Sequence, residues 1–193
     1  MLTPEIPGPG LEDYHNHATT PPPPQLIINV LGTPVAQGSK VANTYGRGVR
    51  DTNAETLKPW RQEVAAATVE AMREQGWTTL DDPCEVAIVF HHRRGQGHYG
   101  TGRNAGTLKP TAPVWKHTSP DVDKLARAVL DALTAARAYR DDARVARLIV
   151  EDRWADSATG ARIILTPLDS AYLERLPSNP TPDTNREPEG HLF

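Results

Sequence analysis

The chain has 193 residues, a single cysteine and a formal net charge of −3. That length suits one domain with a core that needs no disulfides, and one cysteine excludes a disulfide framework within the chain, as expected in a reducing cytoplasm. No stretch approaches the roughly 18 apolar residues of a membrane span, and the N-terminus lacks the basic-then-apolar pattern of a signal peptide.

The net charge hides three unlike segments. Residues 1–24 carry Glu5, Glu12 and Asp13 with no Lys or Arg, and residues 169–193 carry five acids against Arg175 and Arg186. Each end is therefore −3, which leaves residues 25–168 at +3. Residues 91–117 hold Arg93, Arg94, Arg103, Lys109 and Lys116 and no acid. Such a segment is either a solvated loop or a surface for phosphate.

In chain order, an arm ending in Pro21–Pro24 has no apolar periodicity and reads as disordered or polyproline-like. Gln25–Leu31 is apolar and β-branched, a first strand. Residues 32–53 read as loop, with Gly38, Gly46 and Gly48 among Lys40, Arg47 and Arg50. From Pro59 to Gln75, Val64, Ala67, Thr68, Ala71 and Met72 recur at helical spacing, with Pro59 suited to the first turn. Cys84–Phe90 is a second strand, in which Cys84 is a small core residue rather than a nucleophile. His91–Thr118 is a long loop containing Pro110 and Pro113, and Asp121–Ala135 is a second helix. Arg144–Trp154 and Ala161–Pro167 read as strands joined near Gly160 in a hairpin. From Asp169 the chain is polar and Pro-rich, with a turn of helix around Ala171–Arg175. The order β, α, β, α, β, β predicts an α+β domain with a mixed sheet packed with helices over residues 25–168, flanked by an arm and a tail.

The chemistry concentrates on the second helix. Val122, Leu125, Ala126, Val129, Leu130 and Leu133 form its apolar stripe, while Asp123, Arg127 and Asp131 lie four apart on another face beside Lys124. Asp121 and Asp123 sit about 200° apart around a helix. They converge only if Asp121 is still extended, which Pro120 favours by keeping Ser119 out of the helical region. Two carboxylates about 4 Å apart repel by roughly 4 kcal/mol at an effective dielectric near 20. A cluster completed by Asp141-Asp142 therefore calls for a cation. The alternative is ordinary: acids at a helix start cap it and complement its dipole, and Asp131 pairs with Arg127.

Three other motifs lead nowhere. Gly95-Gln96-Gly97-His98-Tyr99-Gly100 spells GxGxxG, but no helical period follows it. His15-Asn16-His17 lies in the unstructured arm. His91 and His92 are strand neighbours and point to opposite faces, so one faces the groove and the other is buried. His117, beside Lys116, is the better phosphate contact.

Asp121-x-Asp123-x-Leu125, then Asp131-Ala132-Leu133, then Asp141-Asp142-x-x-Val145, resembles the RusA family of Holliday-junction resolvases. Gly32-Thr33-Pro34-Val35-Ala36-Gln37-Gly38-Ser39-Lys40 and Lys58-Pro59-Trp60-Arg61 extend the likeness over residues 26–167. The resemblance implies a RusA-like fold, an intimate homodimer, magnesium (with manganese as a substitute), and cleavage of four-way branched DNA by paired nicks. By position, it implies Asp121, Asp123 and Asp142 as metal ligands and catalytic residues, Arg127 as the catalytic basic residue of the helix, and Asp141 as a turn residue or one supporting the ligands. Lys40, Arg47, Lys58, Arg61, Arg93, Arg94, Lys116, His117 and Lys124 become the expected DNA contacts. Two positions depart from the family pattern: Lys124 stands where Asn is frequent, and Arg127 where Lys is usual. The same residues would serve a nuclease selective for flaps or forks. A junction-binding protein without catalysis fits less well, because surplus acids in a DNA groove only repel. The 5 Lys against 16 Arg hint at a GC-rich genome, and the family implies a bacterial or phage-infected cytoplasm.

Overall fold

A computed structural model describes residues 24–38, 40–42, 49–51, 53–155 and 157–169. Strand β1 (Leu26–Leu31) is followed by two short strands, β2 (Lys40–Ala42) and β3 (Val49–Asp51), then helix α1 (Ala54–Gln75) and strand β4 (Cys84–His92). Helix α2 (Val122–Ala135) and strands β5 (Val145–Trp154) and β6 (Gly160–Pro167) complete the set. This is the mixed α+β architecture that the element order predicts.

The main sheet runs β1-β6-β4-β5. β6 is antiparallel to both β1 and β4, whereas β4 and β5 are parallel. A parallel pair needs a long crossover, supplied here by residues 93–144 with α2 inside them. The expected β5–β6 hairpin is therefore not formed: β6 leaves β5 and inserts between β1 and β4. The side chains explain why. β6 carries Ala161, Ile163 and Leu165 fully into the core with Ile164 half-buried, as a central strand must. β5 carries Arg147, Glu151, Asp152 and Arg153, which suit an edge.

The segment read as loop also pairs in part, with β2 and β3 forming a two-stranded antiparallel sheet in the register Lys40 to Asp51. Helix α1 opens on the carbonyl of Asn53, which accepts from the amides of Thr56 and Leu57. It thus begins before Pro59, which lies inside it. Its C-terminus closes on Gly76 at φ 64°, and the Trp77 amide returns to the Met72 carbonyl at 2.9 Å.

On β4 every second residue is buried: Cys84, Val86, Ile88, Phe90 and His92. Together with Leu26, Ile28, Ile163 and Leu165, the first four of these meet Leu57, Trp60 and Val64 of α1 and Leu125, Val129 and Leu133 of α2 in one core. The Cys84 thiol is held up near 11 by burial, in keeping with a structural residue. Among the described residues, no helix is long and apolar enough to cross a membrane.

Candidate active site

Asp121 is the residue before α2 and is extended, at φ −70° and ψ 134°. Its carbonyl accepts the Leu125 amide at 3.1 Å, starting the helix, while its carboxylate is exposed. Oδ2 lies 2.7 Å from the ammonium of Lys124. That hydrogen bond and charge hold Asp121 below the usual carboxylate range, and the same contact raises Lys124. The extended lead-in that the convergence of Asp121 and Asp123 requires is therefore present.

Asp123, Arg127 and Asp131 follow at four-residue steps and line a cleft of about 550 Å³ together with Asp142, Leu148 and Val150. Asp142 enters from the short 3-10 turn Asp142–Arg144 that precedes β5. Asp141 is the capping residue of that turn: its Oδ1 accepts the Ala143 amide at 2.9 Å, which lowers its pKa. Asp121 borders a second recess, formed with residues 115–120, Glu151 and Asp152. Val122 and Val150 line both recesses and form the wall between them. Leu148, Val150 and Asp152 share one face of β5, so a single strand floors the whole region.

Three of the four expected catalytic residues, Asp123, Asp142 and Arg127, thus open into one cleft, with Asp121 across the valine wall. Carboxylate oxygens are the donor type that suits a hard divalent cation. The arrangement is nevertheless open: among the described residues, no three His, Cys, Asp or Glu side chains are gathered closely enough to hold an ion.

The basic residues divide into free and engaged groups. Arg127 is exposed and has no ion pair among the described residues, because Asp131 pairs with Arg61 of α1 rather than with Arg127. Arg61, expected on DNA, is half-buried and held in that pair. Lys58 and Arg93 are exposed. Arg94 is stacked 5.4 Å from the Trp154 ring and donates to the Pro113 carbonyl. His117 is exposed, its Nδ1 3.1 Å from the Trp115 carbonyl. Lys40 lies in β2, and Arg47 falls outside the described residues, as do His15-Asn16-His17. The glycines of residues 95–100 open no α-helix; only a 3-10 turn, Gln96–His98, forms there.

Lys116 is the clear correction. Its side chain is 3% exposed, so it cannot reach a phosphate as it stands. Nζ lies 2.6 Å from Asp152 Oδ2 and 2.6 Å from the Thr118 carbonyl. The other oxygen of Asp152 is 2.7 Å from Nε2 of buried His92. Burial is the main cause lowering the His92 pKa, against the opposing pull of Asp152. His91, its neighbour, is half-buried on the other face. Asp152 was not among the expected site residues. Its signal was His92, a polar residue at the apolar parity of β4, which needs a partner when buried.

A family model described as Endodeoxyribonuclease RusA matches residues 32–166. That span includes both recesses, α1, α2 and all of β4 and β5. No curated protein matches the chain.

Proposed function

The chain belongs to the RusA endodeoxyribonuclease family, and on that premise we propose that it is a magnesium-dependent homodimer that resolves four-way DNA junctions by paired nicks. Endonuclease chemistry on junction DNA, with a divalent metal, is the general property of the family. The observation that supports the finer reading is the opening of Asp123, Asp142 and unpaired Arg127 into one cleft, with Asp121 beside it.

Asp121, Asp123 and Asp142 would hold the ion, which would take the place of the Lys124 ammonium on Asp121. When bound, magnesium supplies charge against the scissile phosphate and makes water a stronger nucleophile. Arg127 grips the phosphate from one helical turn beyond Asp123. Its planar fork suits two phosphate oxygens at once, and it offsets the charge that grows during displacement. Lys124, released from Asp121, turns to the DNA backbone. The acid-free loop with Arg93, Arg103 and Lys109 carries an adjoining arm of the junction, a contact that weakens with salt. Two opposed cuts on a two-fold junction match a two-fold protein.

Incubation with synthetic four-way, flap, fork and linear substrates, with and without magnesium, tests this reading. Paired nicks restricted to the four-way substrate and dependent on magnesium are expected. Preferential cutting of flaps or forks would reassign the substrate, and light scattering that shows only monomers under cleaving conditions would remove the homodimer.

A further inference from the structure

Lys116 joins the strand scaffold to the lead-in of Asp121. His92 on β4 and Asp152 on β5 belong to neighbouring parallel strands, so their positions are set by the sheet. Asp152 accepts from the Lys116 ammonium at 2.6 Å, and that ammonium also reaches the carbonyl of Thr118 at 2.6 Å and that of Pro120 at 3.5 Å. The next residue is Asp121. Of residues 115–119 only Lys116 is buried, while Trp115, His117, Thr118 and Ser119 are all exposed. A cation withdrawn from water persists only when paired and hydrogen-bonded, and here its partners are the sheet on one side and the approach to the active site on the other.

We propose that Lys116 and Asp152 are positioning residues that fix the backbone leading into Asp121 and so set the site's affinity for its divalent ion. The proposal rests on Asp121 being a ligand, as argued above. Lys116 acts through the loop rather than on DNA, and Asp152 acts through Lys116. Neither touches the reacting phosphate. Partners that hold a metal ligand in place commonly govern affinity by about 10- to 100-fold.

The experiment uses the full chain and four variants: Lys116→Met, Asp152→Asn, the double change Lys116→Met with Asp152→Leu, and Asp121→Asn as reference. Three readouts are taken: manganese binding without DNA by electron paramagnetic resonance, melting temperature, and the magnesium dependence of single-turnover nicking of a four-way junction. The single changes should weaken manganese binding at least about tenfold and raise the half-saturating magnesium concentration similarly. Nicking at saturating magnesium should return to within about threefold of the unmodified protein, since no reacting group is lost. The double change removes both buried charges and leaves only the His92 imidazole without its partner, so its melting temperature should fall less than that of Asp152→Asn, which leaves the Lys116 ammonium buried and unpaired. Its manganese affinity should still fall, because the Thr118 and Pro120 carbonyls remain unheld. A folded double variant that binds manganese normally overturns the proposal, even if Asp152→Asn alone is too unstable to study. If Asp121→Asn also leaves manganese binding unchanged, the metal-site reading itself fails. If Asp121→Asn weakens binding and the clamp variants do not, only the positioning role fails.

Discussion

The ammonium of Lys124 lies 2.7 Å from Oδ2 of Asp121, across the first turn of α2. An exposed cation thus occupies the carboxylate that a metal ion would use, at a position where Asn is frequent in the family. Lys124→Asn should tighten manganese binding in the absence of DNA by no more than about fivefold, the scale of an exposed ion pair. Junction affinity at low salt should fall at the same time, because one positive charge is lost. Titrations of metal and of junction on the two proteins check both directions; weaker metal binding by the variant would show that Lys124 orients Asp121 rather than competing for it.

Asp121→Asn, Asp123→Asn and Asp142→Asn should each abolish nicking in magnesium while junction binding persists or tightens. Each substitution removes negative charge facing phosphate and preserves side-chain size. Normal cutting rates in all three would show that the carboxylates belong to the helix cap and turn alone.

Arg127→Ala should slow single-turnover nicking by on the order of 100-fold, about 3 kcal/mol, as expected for loss of a charge donor in the transition state. The melting temperature should hardly change, since no ion pair ties Arg127 to the fold among the described residues. Arg127→Lys should retain substantial activity. In contrast, Asp131→Asn should keep nicking and cost at most about 1 kcal/mol of stability, as a partly exposed pair with Arg61 is screened by water. A fully active Arg127→Ala protein would end the catalytic assignment.

His92 gives the fold a sensitivity to mild acid. Burial lowers its pKa from the ordinary 6.5, with Lys116 and His91 adding to the shift and Asp152 opposing it. Well above pH 6.5 the imidazole is neutral in folded and unfolded chains alike, and contributes no pH dependence. As pH falls below 6.5, the unfolded chain takes up a proton that the folded chain refuses, so stability declines until the lower folded value is reached. Melting temperatures recorded between pH 7.5 and 5 should show this loss, and His92→Gln should reduce it. An unchanged slope in the variant would assign the acid sensitivity to other groups.

Much of the site was legible because it depends on local rules. Four of the six apolar residues read on α2, Leu125, Ala126, Val129 and Leu133, lie on its buried face, which Ala128 and Ala132 complete, while Val122 is exposed and Leu130 half-buried. Pro120 marks the extended lead-in that sets Asp121 apart from Asp123. The turn role of Asp141 also follows from its place before a short connection. Strand order was less legible. The short gap between Trp154 and Gly160 suggested a hairpin, but β6 is too apolar for that place and β5 too charged for the sheet interior. Lys116 was misread for a different reason. Its run of neighbours is basic and polar, while the acid that draws it inward is Asp152, 36 positions away. A pairing of that range leaves no periodic trace.

The crossover from β4 to α2 now divides into two portions with different freedoms. Because Lys116 anchors the chain just before Asp121, changes in residues 93–114 need not propagate to the carboxylates. On the proposed reading, insertions, deletions or recoding of that stretch would alter which DNA contour it follows while the carboxylate cleft keeps its shape. Substrate preference and chemical competence would then diverge on separate schedules, with one buried ammonium as the boundary between them.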